Sequence, residues 1–167
     1  MAKKTSGARG AVASGLKNMD FTIPLKNREV EQAAALQARL QLQDISLYKS
    51  EAAGAGPPIG AVEPVTLSAE LDSEMDRRDS AGVDFAVTLR VACHEALTFH
   101  IDATFLARYR FADQTKTASK IEIEAFRKSH AVLAVWPYLR EFVQSTAARM
   151  GFPTEPLPLL SVVPRKE

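Results

Sequence analysis

The sequence lacks most of what catalysis, membrane insertion or disulfide stapling would need. A single cysteine, Cys93, stands among 167 residues, so no internal disulfide can form, which suits a reducing compartment. No apolar run approaches the roughly 18 residues of a membrane-spanning helix. The N-terminal "AVASGL" is too short and weak to be the apolar centre of a signal peptide. A cytoplasmic protein with no membrane insertion is therefore expected. The three histidines, His94, His100 and His130, lie far apart, and adjacent Cys93 and His94 are poorly placed to ligate one ion, so no metal site is expected. There is no GxSxG or HExxH, and the two prolines of "GAGPPIG" remove the amide donors that a phosphate cradle requires. With no converging nucleophile, base and metal, neither an enzyme nor a cofactor is expected.

Net charge is also scarce, at +1, but it is unevenly spread: residues 1–30 carry +4 and the remainder −3. Few apolar residues and several glycines and serines make residues 1–30 read as a basic, disordered leader, with one domain over 31–167. Nucleic-acid binding would call for clustered cations with interleaved aromatics. Arg108 and Arg110 of "ARYRF" fit solvated strand positions opposite a core better, so a nucleic-acid partner is not expected.

What is present is alternation. After a short helix over Glu29 to Leu40, with Val30, Ala34 and Gln37 on one face, a strand is expected from Leu42 to Lys49. Its apolar phase changes between Leu40/Leu42 and Ile45/Leu47, which implies a bulge, a strong twist or a helix giving way to a strand. A long Gly/Ala/Pro loop should follow over 50–64. Three alternating segments come next, with Val65, Leu67, Ala69 and Leu71 on one face of the first and Val83 to Val91 on one face of the second. In the third, Phe99, Ile101, Ala103, Phe105, Tyr109 and Phe111 share a face. Short polar linkers at 73–81 and 93–96 suggest hairpins between neighbouring strands. Strands followed by helix make the fold class α+β, a four-stranded antiparallel sheet with one long C-terminal helix packed on one side.

That helix is bounded by punctuation. Pro137 should begin or kink it, while Gly151 suits the left-handed position after its end and Pro153 prevents continuation. The tail "TEPLPLLSVVPRKE" is held extended by its prolines and carries five large aliphatic residues that something must cover.

Trp136-Pro137-Tyr138-Leu139-Arg140-Glu141, then Arg149, then Gly151-Phe152-Pro153 and "LPLL" resemble the end of the SecB family of export chaperones. "QDISLY", with Asp44, Ile45, Ser46 and Leu47, is similar to that family's first strand, and the likeness spans about residues 38 to 160. The resemblance implies a dimer-of-dimers tetramer that holds unfolded polypeptide in apolar grooves without ATP. Under that chaperone reading the client groove is expected at Tyr48, Val65, Leu67, Trp136, Tyr138, Phe142, Leu157 and Leu159, while the resemblance puts a SecA-facing surface at Asp44 and Asp102. Arg140 and Glu141 would anchor the helix through polar contacts. Tyr48 replaces an expected acid, His100 an expected leucine, and the chain is near neutral, so these departures weigh against SecA as a partner. The pattern looks closer to SecB-like chaperones that protect an antitoxin than to those that deliver secretory precursors. A small-ligand domain and a purely structural oligomer remain the readings of other classes.

Overall fold

The computed structural model describes residues 21–55, 67–94, 98–113, 118–151 and 157–165. Strand β1 (Phe21–Lys26) leads into helix α1 (Asn27–Gln37), followed by four long strands, β2 (Leu40–Gly54), β3 (Leu67–Arg78), β4 (Gly82–His94) and β5 (Thr98–Phe111). Helix α2 (Lys120–Phe126), a π turn (Arg127–Ala131) and helix α3 (Val132–Arg149) come next, and strand β6 (Leu160–Arg165) ends the described chain.

The four long strands form an antiparallel sheet in the order β2-β5-β4-β3. The hairpins β3–β4 and β4–β5 are as expected, but β2 lies beside β5, so the chain from β2 to β3 links the two edges. Two expected linkers proved partly strand: β3 runs on through Arg78, and Cys93 and His94 belong to β4. The β3–β4 turn is held by Asp79, whose carboxylate accepts from the amides of Ala81 and Gly82. Gly82 is required there, because a Cβ would sit 2.1 Å from the Tyr109 carbonyl oxygen. Strand β2 also extends to Gly54, into the expected loop, of which residues 56–66 lie outside the described residues.

Alternation determines the layers. Val83, Phe85, Val87, Leu89 and Val91 on β4 and the odd-numbered residues Phe99 to Phe111 on β5 are buried against the helices. Each fully buried large side chain is worth about 1.5–3 kcal/mol. From α3, Val132, Val135, Trp136, Leu139, Val143 and Ala147 meet them at helical spacing. The Phe126 ring sits 5.1 Å from Tyr109 and 5.8 Å from Phe85. Helix α1 buries Ala33 and Leu36, while Val30 and Ala34 face solvent, so the expected apolar face is one position out. Its partner layer is α2, and small residues allow the close approach.

The C-terminal helix does not begin at Pro137. Residues from Lys120 to Arg149 run on through right-handed backbone at both junctions of the π turn. The departure from α-helical bonding lies earlier, where the Ser129 hydroxyl donates to the Ala125 carbonyl oxygen and competes with the ladder. Pro137 is exposed inside α3. The helix stops as expected, with Gly151 at φ 80°.

A second sheet was not foreseen. Strands β1 and β6 pair in parallel, Phe21 opposite Leu160 through Lys26 opposite Arg165. Phe21, Ile23 and Leu25 are buried, so the expected disordered leader is structured from Phe21 onward, and residues 1–20 lie outside the described residues. The apolar tail thereby finds cover: β6 is partly wrapped by the start of the chain.

Candidate functional site

The edge strand β2 reaches beyond the helical layer. Register shifts fall between Leu42 and Asp44 and between Leu47 and Lys49, so Gln43 and Tyr48 are the extra residues of two bulges. The first bulge explains the phase change in the sequence, because it returns Ile45 and Leu47 to the face that carries Leu40 and Leu42. Leu42 pairs with Tyr109, Ile45 with Ala107 and Leu47 with Phe105, all on the helix side of the sheet.

Among the described residues no helix covers the outer part of that face. Leu42 and Leu47 are each 46% exposed, Tyr138 on α3 is 47% exposed, and Phe142 is half-buried. The Phe105 ring forms the floor, 6.1 Å from each of the Tyr138 and Phe142 rings and directly across from Leu47. Aromatic walls, an aliphatic rim and an adjacent strand edge with unpaired backbone groups make an apolar strip suited to extended polypeptide.

The expected site residues divide three ways. Tyr138 and Phe142 belong to the strip. Tyr48 is 64% exposed at the second bulge, and Leu159 is 76% exposed in the segment before β6. Trp136 and Leu157 are in the core, and neither side chain is open to a client. The Trp136 ring packs 4.7 Å from Phe21, its Nε1 donates to the Pro158 carbonyl oxygen at 3.2 Å, and Arg140 Nε donates to the Leu157 carbonyl oxygen at 2.6 Å. One helical turn apart, Trp136 and Arg140 clamp successive tail carbonyls to α3. The anchoring expected of Arg140 is thus directed at the tail. Val65 lies outside the described residues, and Leu67 opens β3 opposite Cys93.

Leu42, Leu47 and Phe105 were missed as site residues. Their signal was present in the phase change, since an edge strand that keeps its apolar residues in phase through a bulge is keeping a face that neighbours must use or leave open.

The other face of the sheet is charged. Register lines up Glu51, Asp102, Arg90 and Glu70 across the four strands. Arg90 stands 3.9 Å from both Glu70 and Asp102, and Arg108 pairs with Asp44 and also donates to Ser46. Asp44 and Asp102 therefore share one face, each opposed by an arginine. Such exposed pairs contribute about 0–1 kcal/mol each and mainly set surface potential. Cys93 is buried, and no cluster of three or more His, Cys, Asp or Glu able to hold a metal ion occurs among the described residues. No helix there is long and apolar enough to cross a membrane.

No family model matches the chain. Two curated relatives, the SecB-like chaperone Rv1957 of Mycobacterium tuberculosis strain H37Rv and the SecB-like chaperone MT2006 of strain CDC 1551, are each 25% identical over 150 residues. Each alignment covers 77% of this chain and 81% of the relative. A solved structure of the M. tuberculosis chaperone, in complex with a ChAD peptide from the HigA1 antitoxin, superposes with a TM-score of 0.69 at 21% identity. It covers 81% of this chain and all of that one, 100%. In sequence over three quarters of its length, and in fold, this chain is similar to SecB-like chaperones.

Proposed function

We propose that the protein is an ATP-independent holding chaperone that keeps an aggregation-prone polypeptide unfolded, and that its dedicated client is the antitoxin of a toxin-antitoxin pair. The observation that carries this reading is the open strip of Leu42, Leu47 and Tyr138, with half-buried Phe142 beside them and buried Phe105 as floor, next to the β2 edge. It offers contact area from aromatic rings and hydrogen bonds from backbone, which suits an extended chain of loosely specified sequence. The solved relative with an antitoxin peptide bound supports the choice of client. The working unit is a cytoplasmic dimer-of-dimers tetramer whose chaperone domain includes β1 and α1, so the basic leader is residues 1–20 and not the 1–30 expected from composition. The client-binding set is Tyr48, Tyr138, Phe142 and Leu159, with Leu42 and Leu47 added, Phe105 as their floor, and Val65 and Leu67 retained from the sequence.

A general export role, delivering secretory precursors to SecA, is the second reading. It draws on Asp44 and Asp102 sharing the outer face, but the arginine opposite each reduces the negative potential that docking of a cationic tail would use.

Co-purification from the native host tests the client. One dominant small partner on a tetramer supports the antitoxin reading, while many precursors together with SecA would replace it with general export. For the strip itself, Leu47→Ser combined with Tyr138→Ser is expected to reduce suppression of client aggregation several-fold with little change in melting temperature. Full suppression by that variant would remove the strip from the function.

A further inference from the structure

A cavity of about 360 Å³ lies away from the strip, between the small β1–β6 sheet, the β3 edge and the π turn. That volume is near the lower end of small-ligand sites, roughly 300–1,000 Å³. Its apolar lining is Ile23, Pro24, Leu71 and Val132. Its charged lining is mostly committed. Arg127 is bound to the Ser73 carbonyl and hydroxyl and to Glu124, and Lys128 stands 3.6 Å from Glu29 and 3.7 Å from Glu124. Asp72 accepts the Ser73 amide.

Two cations are uncommitted. Lys26 and Arg165 are register partners at the ends of the parallel strands β1 and β6, both exposed, and neither has a carboxylate in ion-pair range among the described residues. Two side-by-side like charges repel, and an anion between them relieves that repulsion. Beside them the Glu29 carboxylate accepts the Lys26 amide at 2.9 Å and stands 3.6 Å from Lys128, so its charge is already balanced. A hollow with an apolar part, bounded on one side by paired cations and otherwise lined by charges already balanced against one another, can take a carboxylate attached to a short apolar body.

We propose that this cavity binds the C-terminal end of an extended polypeptide whose last side chains are apolar, its carboxylate taken by Lys26 and Arg165. A chain end fits where a folded partner does not, because the hollow admits only a few side chains. Arginine's planar fork suits a carboxylate, and the register sets Lys26 beside Arg165 on neighbouring strands. The site lies apart from the strip and rests on the reading of the protein as a polypeptide holder, giving it a preference for where along a client it grips.

The test uses the full chain and two fluorescein-labelled hexapeptides, Gly-Ser-Gly-Ala-Leu-Leu as the free acid and as the C-terminal amide, with binding read by anisotropy. The acid is expected to bind about tenfold more tightly than the amide, and Lys26→Gln with Arg165→Gln should abolish that preference while leaving amide binding unchanged. Equal binding of acid and amide, no binding of either, or a preference that survives the double substitution overturns the site. Octanoate competing as well as the peptide acid would overturn the chain-end assignment in favour of a small amphipathic carboxylate. Aggregation suppression, measured on the same proteins, separates the two readings. A wild-type chain that suppresses aggregation without preferring the acid loses only this site. One that prefers the acid without suppressing aggregation loses only the chaperone reading.

Discussion

Trp136 shows how a residue chosen for one purpose serves another. An aromatic at a proline junction reads as a groove wall in the sequence, yet it is buried between Phe21 and the tail, with its indole N–H on the Pro158 carbonyl. Trp136→Ala is expected to cost about 3–5 kcal/mol in urea unfolding, through a cavity and the loss of the tail's anchor. A loss of client holding at unchanged stability would return Trp136 to the groove. Titration adds a residue-scale test. Asp79 is held below its ordinary range by Arg77 and then by the Ala81 amide, Glu122 by the Ser119 amide, and Glu124 by Arg127. Each depressed value means stability that is present above the ordinary carboxylate range and lost as pH falls through the folded value. The melting temperature should therefore be flat near neutrality and decline below about pH 4.5, the ordinary value for Glu122 and Glu124. Burial pushes Tyr109 up to about 12, so one tyrosine's phenolate absorbance should rise late in an alkaline titration, and a Tyr109→Phe chain should lack that late phase.

Among the elements, the long C-terminal helix holds the clearest unresolved cost. Pro137 has no N–H for the Leu133 carbonyl, and its ring crowds that turn, yet both positions are exposed and pack against nothing that needs proline. Pro137→Ala is expected to stabilise the chain by about 1–3 kcal/mol in denaturant unfolding. A loss of stability would mean that the proline fixes a curvature the core depends on. The β1–β6 pair makes the opposite point. Its alternation, Phe21, Ile23 and Leu25 against Leu160 and Val162, is short, broken by Pro24 and Pro164, and separated by most of the chain. A two-stranded sheet is marginal alone, so the α1 and α3 surfaces it packs against make the pairing worthwhile.

For the whole molecule, exposed apolar surface sets the expectation. Leu42, Leu47, Ile121, Leu133 and Val163 are all open on one chain, and the 15-residue β2 presents a long edge. Arg39 also has two buried guanidinium nitrogens with no hydrogen-bond partner among the described residues, although its third meets Glu122 at 3.0 Å. Association would cover such surface and supply such acceptors. Native mass spectrometry is expected to find four times the 18.2 kDa chain mass, and a monomer at micromolar concentration would overturn the tetramer.

The four-stranded sheet and its helical cover were legible because a period of two or of 3.6 is written locally and survives any tertiary arrangement. The change of phase in β2 was readable, though a bulge was only one of three explanations until the register chose it, and the helix end at Gly151 was readable as a conformation that favours glycine. Which apolar residues stay open was not readable, since Leu47 and Leu89 look alike in an alternating strand. Their fates differ because β2 lies beyond the helices and β4 beneath them. The β1–β6 pairing and the neighbouring cations Lys26 and Arg165 were likewise decided only in three dimensions. Contacts between the two ends of a chain leave no periodic trace and depend on the surface that brings them together.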